Sequence, residues 1–392
     1  MKIRIARIVT RMDMGGAQQA VLYLANHLNR DLFEQIVITG EGGLLSPDLD
    51  SASYVRRHIV SELTRHVGVA GLVTDLTALV KIRRILENEK PDIAHTHTPK
   101  AGIVGRWASW LAGVPRIAHT FHGFGFGELH PMFKKQLYIL TERLTGTITT
   151  QFVVVSENNR LKGLDYGFYC AQNCELIRSG VDFSSFQIGT PDKSKKKIEL
   201  ELQPSDKIVG IVAGFKPPKG LHDFLDVARR VRDQSPQTKF LMVGDGELRN
   251  ELELQVRRLH LDAVVKMLGW RRDVPELMQI FDIFLLTSHW EGLPRVLLEA
   301  MSLGIPIVAS SVDGISEVVQ CGENGYLSPP GDTPEMARQV LQLLGDDQLR
   351  RSMGRRSQRM VEPFSAQRML KDYTHLYLRM MNRSREVDPL LY

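Results

Sequence analysis

Short apolar runs alternate with segments of helical periodicity along most of the chain. In the first half the pattern predicts strands at 3–9, 33–39, 92–97, 116–121 and 152–156, and helices that open after Asp13 and span 72–89, 99–112 and 131–145. In the second half it predicts strands at 208–215, 239–243, 264–268, 283–288 and 306–310, and helices at 220–233, 247–259, 274–281, from about Pro294 onward, and at 334–344. Strands that alternate with helices pair in parallel, with helices on both faces of the sheet. The chain is therefore predicted to be α/β.

A polar, lysine-rich stretch at 187–207 separates the two alternating halves. It contains Gly189, Pro191 and the run Lys195-Lys196-Lys197, a composition typical of a link between domains. The sequence thus predicts an N-terminal domain of residues 1–188, a linker at 189–206 and a second Rossmann-like domain from residue 207. A length of 392 residues fits two domains, and 43% hydrophobic content is enough for two cores.

The charge and the cysteines narrow the function classes. A net charge of +5 is too small to indicate nucleic-acid binding, but it suits anionic substrates or an anionic membrane surface. The first residues have a strand pattern without the apolar core of a signal peptide, and no apolar run is long enough to span a bilayer. Cys170, Cys174 and Cys321 have no disulfide or zinc spacing, which favours a reducing compartment. A cytoplasmic protein is expected.

The segment 290–301 carries the strongest candidate chemistry. It follows the apolar run 283–288, Gly292 supplies a tight turn, and Pro294 is a favourable first residue of a helix. The free N–H groups of such a helix start can bind a diphosphate. Glu291 precedes the helix and Glu299 lies almost two turns inside it, about 10 Å farther along the axis. Surface glutamates can have this spacing too, but it also fits a ligand with hydroxyl groups on both sides of a diphosphate, such as a nucleotide-sugar.

The run Glu-Gly-Leu-Pro-x4-Glu-Ala-Met, followed by 304–310, resembles the E-x7-E signature of retaining glycosyltransferases of family 4. Similar blocks at 91–97, 219–220, 244–247, 269–270, 313–317 and 324–332 extend the resemblance over nearly the whole chain. It implies the GT-B fold, in which two Rossmann-like domains with parallel sheets face a central cleft. The acceptor-binding domain would comprise 1–188 and the nucleotide-sugar domain 207–363, with a C-terminal helix in 364–392 crossing back to the first domain.

In the first domain the candidates are a glycine pair and a histidine. Gly15-Gly16 lies where the family places the donor phosphates or the acceptor, although a tight strand-to-helix turn explains the pair equally well. His122 comes at the carboxyl end of a strand, where ligands bind in such sheets. The resemblance implies that it bonds the transferred sugar or its leaving phosphate. His119 falls on the opposite face of the strand and is expected to pack.

In the second domain the resemblance assigns most of the donor site. Lys216 and Lys219, in a turn after Gly214, would hold the diphosphate and stabilise the leaving group, although the family often has arginine at the position of Lys216. Gly244, Gly246 and Gly269 would border the nucleotide. Glu291 would bind the donor sugar with the backbone of Gly292, Leu293 and Pro294. Glu299 would bind the ribose. No protein nucleophile and no cofactor is assigned.

The remaining expectations concern a metal site, contact with a membrane, and the identity of the substrates. The triplet Asp48-Leu49-Asp50 is predicted to lie in a solvated loop, so no metal site is expected. The helix at 131–145 is amphipathic and carries Lys134, Lys135 and Arg143, which fits either packing or contact with the inner face of a membrane. The resemblance implies a UDP-sugar in preference to a GDP-sugar, and a saccharide or lipid-linked acceptor. A sugar-nucleotide epimerase and a non-catalytic sugar receptor remain as alternatives.

Overall fold

A computed structural model describes residues 1–64, 69–126, 131–186 and 193–383. It divides into two compact units, one made of residues 1–180 with the chain from Ala366 onward, the other of Val181–Ser365. Each unit is a parallel sheet with helices, as the alternating pattern predicts. The predicted linker at 189–206 lies partly outside the described residues, and its described part contains the helix Lys193–Glu199.

The first unit contains a seven-stranded parallel sheet in the order β3-β2-β1-β4-β5-β6-β7. Its strands are β1 Ile3–Val9, β2 Phe33–Thr39, β3 Val55–Ile59, β4 Ile93–His97, β5 Arg116–Phe121, β6 Gln151–Val154 and β7 Cys174–Leu176. Its first six helices are α1 Gly16–His27, α2 Ser46–Asp50, α3 Val69–Glu89, α4 Pro99–Leu111, α5 Met132–Gly146 and α6 Glu157–Asp165. The order reverses between β1 and β4, the position where ligands bind in such sheets.

Both faces of β1 are buried, which explains its nearly continuous apolar sequence. Ile3 and Ile5 pack in one cluster with Leu24 of α1, while Ala6 and Ile8 pack in another with Ile82 of α3. The C-terminal helix of the chain, Ala366–Met380, joins the first of these clusters through Met369, Tyr373, Leu376 and Tyr377. The prediction that the last helix returns to the first domain is therefore confirmed.

The second unit contains a six-stranded parallel sheet in the order β10-β9-β8-β11-β12-β13. Its strands are β8 Lys207–Val212, β9 Thr238–Val243, β10 Val265–Gly269, β11 Ile283–Leu286, β12 Ile307–Ser310 and β13 Gly325–Ser328. Its helices are α7 Lys193–Glu199, α8 Leu221–Arg232, α9 Arg249–Arg258, α10 Val274–Met278, α11 Arg295–Ser302, α12 Ile315–Val318, α13 Thr333–Gly345 and α14 Asp347–Met360. The C-terminal helix Ala366–Met380, which belongs to the first unit, is α15. Here the order reverses between β8 and β11.

Two local predictions were wrong. The triplet Asp48-Leu49-Asp50 is not in a loop but in helix α2, because Leu49 is anchored in an apolar cluster with Val9 and Val37 and Pro47 starts the turn. Helix α11 begins at Arg295, one residue later than predicted, and Pro294 precedes it in an extended conformation (φ −73°, ψ 108°). Glu299 is therefore only about one turn inside this helix.

Candidate functional site

The loops that follow β8 and β11 meet at the reversal of strand order in the second unit. The two strands are neighbours, with Ile283 opposite Val209. The Thr287 hydroxyl donates to the Gly220 carbonyl at 2.8 Å, and the His289 N–H donates to the Pro218 carbonyl at 2.8 Å. Gly220 has φ +57°, and a Cβ at this position would lie 2.0 Å from the Thr287 carbonyl oxygen. Only glycine fits here, so the loop carrying Lys219 is fixed against the loop carrying Glu291.

Lys219 and Glu291 are joined directly. Lys219 Nζ lies 2.5 Å from Glu291 Oε1, and the Ser288 hydroxyl donates to the same oxygen at 2.7 Å. Ser288 is fully buried, and only 10% of the Glu291 side chain is exposed. Oε1 thus receives two donors from the protein, and Oε2 is the oxygen with acceptor capacity to spare.

A second loop holds the backbone at Glu291. The Glu291 N–H donates to Asp313 Oδ2 at 2.9 Å, and the Gly314 N–H donates to the Gly292 carbonyl at 3.1 Å. Asp313 has φ +40°, a conformation that costs free energy for a residue other than glycine. The turn after β12 therefore holds the Glu291-Gly292 segment through two hydrogen bonds. The backbone that follows is also shielded from solvent, since Gly292, Leu293 and Pro294 are all buried.

Glu299 is buried, with 7% of its surface exposed. No hydrogen bond to its carboxylate comes from any residue that the structure describes. Burial raises the pKa of Glu299, and the positive charge of Arg295 one turn earlier opposes this rise. Burial likewise lowers the pKa of Arg295, opposed by Glu299 and Asp182. A buried carboxylate with acceptor capacity and no donor suits a ligand that brings its own hydroxyl groups.

The remaining predicted donor-site residues lie at the ends of β8, β9 and β10. Gly244 has φ +133°, and a Cβ there would lie 1.9 Å from the Ala213 carbonyl; its N–H donates to the Gly269 carbonyl at 2.9 Å. Gly246 has φ +157° and a similar approach to Phe215. Backbone packing therefore accounts for Gly244 and Gly246 without a ligand. Lys216 is exposed at the start of the turn Pro217–Lys219, and Trp270, 45% exposed, lies near Gly214.

In the first unit, Gly15 lies at the start of α1. Its backbone is extended, with φ −149°, which any residue can adopt. A Cβ there would meet only the end of the flexible Gln18 side chain, 2.7 Å away. The turn itself does not require glycine at this position, so the tight-turn explanation loses support for Gly15. Gly16 is the first residue of the helix.

His122 follows β5 and is half-buried. Its Nε2 lies 3.1 Å from Nδ1 of His97, the last residue of β4. His95, His97 and His119 are fully or almost fully buried, and desolvation by burial lowers the pKa of each well below its usual range. His119 bonds the Thr96 hydroxyl at 2.8 Å and packs against Phe121. His122 is therefore the more accessible end of a cluster of four histidines, and the pKa of each of the other three is lowered.

Sequence reasoning missed the residues that support these groups. Ser288, Asp313 and Arg295 act on the two glutamates, but their partners are set by strand order and by loops far apart in sequence. His97 lies in the block 91–97 that resembles the family, but the sequence assigned it no role. Arg7 offered one usable signal, because it is a charge in a strand that is otherwise buried on both faces.

Helix α5 presents apolar side chains to solvent. Phe133, Leu137, Leu140 and Leu144 form a stripe at helical spacing, with exposures of 69%, 62%, 54% and 56%, while Ile139 and Glu142 face the interior. Of the three basic residues on this helix, Lys134 is exposed to solvent, whereas the other two contact neighbouring residues of the unit. Lys135 lies over the rings of Phe126 and Tyr166, and Arg143 donates to the Tyr166 carbonyl at 2.6 Å. Within the described ranges, no helix has the length and apolar character needed to cross a membrane.

Comparison with known proteins places these features in context. The family model "Glycosyltransferase Family 4" matches residues 14–185, and "Glycosyl transferases group 1" matches 192–360. The chain is 29% identical to UDP-Gal:alpha-D-GlcNAc-diphosphoundecaprenol alpha-1,3-galactosyltransferase of Escherichia coli, over 97% of this chain and 98% of the relative. It is 31% identical to N-acetyl-alpha-D-glucosaminyl L-malate synthase of Bacillus anthracis, over 77% and 78%.

Two solved structures have the same fold. The crystal structure of Anabaena HepE in complex with UDP and glucose gives a TM-score of 0.83 at 24% identity, over 96% of this chain and 99% of HepE. Sucrose-phosphate synthase of Thermosynechococcus elongatus gives 0.84 at 21% identity, over 97% and 100%.

Proposed function

The chain belongs to glycosyltransferase family 4 and is a glycosyltransferase of the GT-B fold, and from this premise we propose that it moves a hexose from a UDP-sugar to a lipid-linked saccharide, with retention of configuration, in the synthesis of a cell-surface glycan. UDP and a diphosphoundecaprenol acceptor are named for a relative that matches over 97% of the chain. The observation that carries the proposal is the pair of glutamates at the β8–β11 reversal: one fixed by Lys219 and Ser288, the other buried without a donor.

The proposed donor site uses each group according to what it can bond. Glu299 accepts from the two hydroxyl groups of the ribose, because a buried carboxylate gains most from donors that replace lost water. Glu291 accepts from the donor sugar through Oε2, with the backbone of Gly292, Leu293 and Pro294 beside it. Trp270, next to Gly269, borders the base. Gly214, Gly244 and Gly246 shape the strand ends around the nucleotide.

The proposed chemistry is electrostatic. As the bond between the sugar and the diphosphate breaks, negative charge grows on the leaving oxygen. Lys219, Lys216 and the free N–H groups at the start of α11 would stabilise that charge. His122 bonds the transferred sugar or the leaving phosphate, and Gly15-Gly16 lets the chain approach the phosphates or the acceptor closely. The acceptor hydroxyl forms the new bond on the face that the diphosphate leaves, and its proton passes to the departing phosphate.

The acceptor suggests where the enzyme works. We propose that it acts in the cytoplasm at the inner face of a membrane, with the stripe Phe133, Leu137, Leu140 and Leu144 of α5 seated among lipids and Lys134 near their anionic head groups. Four apolar side chains that are each more than half exposed on one helix face are unusual on a protein surface that meets only water. No nucleic acid and no cofactor is part of the proposal.

A transfer assay tests the proposed reaction. Purified protein is incubated with each of several radiolabelled UDP- and GDP-sugars, including UDP-galactose, and with GlcNAc-diphosphoundecaprenol. Label should enter the lipid fraction from a UDP-sugar, and NMR of the released disaccharide should show an α linkage. Conversion of the UDP-sugar to an epimer without any acceptor would favour the epimerase alternative, which the family matches do not support.

A further inference from the structure

Arg7 of β1 is a buried cation without a carboxylate partner. Its side chain is fully buried, and no carboxylate of the described residues lies within 4.0 Å of it. Its Nη1 donates to the Tyr377 hydroxyl at 2.8 Å and its Nε to Gln35 Oε1 at 3.2 Å, while Nη2 has no partner among the residues described. A buried charge without a counter-charge is costly. Packing alone does not explain why the strand has arginine here.

The hydrogen bonds that leave Arg7 run in one direction. A guanidinium can only donate, so the Tyr377 oxygen accepts from Arg7 and has a single proton left to give. That proton points to Nδ1 of His95, 2.7 Å away. His95 must then carry its own proton on Nε2, which lies 2.8 Å from the Thr120 hydroxyl. The chain from Arg7 through Tyr377 therefore favours the Nε2–H tautomer of His95, because only in that tautomer does the Tyr377 proton find an acceptor.

His95 in turn contacts the histidine that bonds His122. The rings of His95 and His97 are stacked with centroids 4.3 Å apart, and His97 Nδ1 lies 3.1 Å from His122 Nε2. A hydrogen bond between two imidazole nitrogens needs one proton and one lone pair, so it is lost when both rings are protonated. When His122 is protonated, His97 can keep this bond only if His97 itself is uncharged.

We propose that Arg7 is a positioning residue: through Tyr377 and by its positive charge it holds His95 and His97 uncharged, so that His97 keeps its hydrogen bond to His122 and fixes the orientation of that imidazole. The importance of His122 rests on the proposed function; the state of His95 and His97 does not.

The charges around the pair all act in the same direction. Burial is the largest cause of the lowered pKa of both rings; Arg7 comes next for His95, and His95, His122 and then Arg7 for His97. The neighbouring His119 also lowers the pKa of His97, and the charge of Arg106 lowers the pKa of His119. From α15 the groups are Tyr373 and Tyr377, and burial raises the pKa of both phenols, so they are uncharged. Glu175, which influences Tyr373, is not among the groups that shift either histidine.

The first test uses the wild-type protein, labelled with ¹³C and ¹⁵N in histidine. Titration by NMR should show His95 as the Nε2–H tautomer, and His95 and His97 uncharged from about pH 5 to pH 8, where an unperturbed histidine would titrate. Assignment uses the single variants His95→Gln and His97→Gln. His95 in the Nδ1–H form, or either ring titrating near its ordinary pKa, would overturn the proposal. This measurement needs no substrate, so it stands even if the proposed reaction is wrong.

The second test separates the charge of Arg7 from its bulk. In Arg7→Met the pKa of His95, and to a smaller extent that of His97, should rise, because a neighbouring positive charge has been removed. The acidic limb of the pH dependence of kcat should move upward with it. Arg7→Lys should restore the wild-type behaviour. Unchanged histidine titration in Arg7→Met contradicts the proposal.

A third variant covers the case in which Arg7→Met does not fold. Tyr377→Phe keeps the charge of Arg7 but removes the proton that His95 Nδ1 accepts. His95 should then lose its single tautomer while His97 stays uncharged. A single Nε2–H tautomer of His95 in Tyr377→Phe would show that the hydrogen-bond chain does not set it, and the proposal would fail.

Discussion

Lys219 Nζ lies 2.5 Å from Glu291 Oε1, so the lysine proposed for the diphosphate is already paired with the carboxylate proposed for the sugar. The pair is only partly exposed, with 27% and 10% of the two side chains accessible, so solvent screens it incompletely. A diphosphate that approaches Lys219 must share it with Glu291. The two groups are therefore expected to respond to substitution as a coupled pair.

Glu291→Gln should separate binding from transfer. The amide keeps the shape but gives up the charge, which frees Lys219 for the diphosphate, so UDP affinity in calorimetry should be unchanged or increased. Transfer should fall about 10- to 100-fold, because the donor sugar loses a hydrogen bond to a charged group, worth about 1.5–3 kcal/mol. An equal loss of UDP affinity and transfer would show that Glu291 binds the nucleotide instead of the sugar.

Glu299→Gln should have opposite effects on stability and on binding. Because burial raises the pKa of Glu299 in the folded protein, its ionised form disfavours folding, and stability due to the protonated form is lost as pH rises through that raised pKa. Removing the charge should therefore raise Tm of the ligand-free protein at pH 7. UDP affinity should fall by about 1.5–3 kcal/mol, and so the thermal shift caused by UDP should shrink.

The matched control for Glu299 is Glu362→Gln, an exposed glutamate of the same unit. It should change neither Tm nor UDP affinity. Wild-type UDP affinity should also decline on acidification at a higher pH than an ordinary carboxylate would cause. Full UDP affinity in Glu299→Gln would remove this residue from the ribose site.

Three substitutions at Asp313 can separate the contribution of its hydrogen bond to Glu291 from that of its unusual backbone conformation. Asn tolerates φ +40° and can still accept from the Glu291 N–H, so Asp313→Asn should keep most activity. Asp313→Gly relieves the strain but loses the acceptor, and its kcat should fall with little change in Tm. Asp313→Ala loses the acceptor and adds strain, so it should lower kcat and also reduce stability by about 1–2 kcal/mol. Equal activity in all three would mean that Asp313 does not position Glu291.

The sequence was sufficient for most of the architecture because the central strands are buried along nearly their whole length and the longer helices have one apolar side. These are local patterns, and they held for β1, β2 and β5 to the residue. They failed for α2, where one buried leucine orders a polar segment, and for short elements such as β7 and the polar helix α14. The linear motif named Glu291, Glu299 and Lys219. It could not show that Glu291 is paired and Glu299 is not, because that depends on the neighbouring strands β8 and β11 and on Ser288.

Membrane contact can be tested through the apolar stripe of α5. Leu137→Gln with Leu140→Gln should reduce binding to vesicles containing anionic lipid, because each leucine buried in lipid contributes about 1.5 kcal/mol or more. A combined effect of about 100-fold follows. Lys134→Gln should weaken binding by about 1 kcal/mol. Lys135 and Arg143 are less suitable, since both already bond within the unit.

The control for the stripe is Leu161→Gln on α6. Leu161 is 58% exposed and belongs to the same unit, but it is not part of the apolar stripe of α5. This variant should bind vesicles as the wild type does. Sedimentation with vesicles at low salt gives the readout, and transfer to a short-chain, water-soluble acceptor shows that the variants are folded. Absence of wild-type binding would end the membrane proposal.

The last prediction concerns divalent metal, which other transferases use to neutralise the leaving diphosphate. In the proposed reaction Lys216, Lys219 and the first turn of α11 supply that positive potential, so transfer should persist in excess EDTA. The triplet 48–50 is the only Asp-x-Asp of the sequence. It belongs to the first unit, where Asp50 pairs with Arg57, and the proposed nucleotide groups belong to the second. Replacing Asp48 and Asp50 by Asn should therefore change transfer by less than about twofold, although loss of the Arg57 pair can lower stability by about 0–1 kcal/mol. Activity that disappears in EDTA and returns with Mg²⁺ or Mn²⁺, with an acceptor that does not itself need the ion, would transfer the neutralising role from the lysines to a metal.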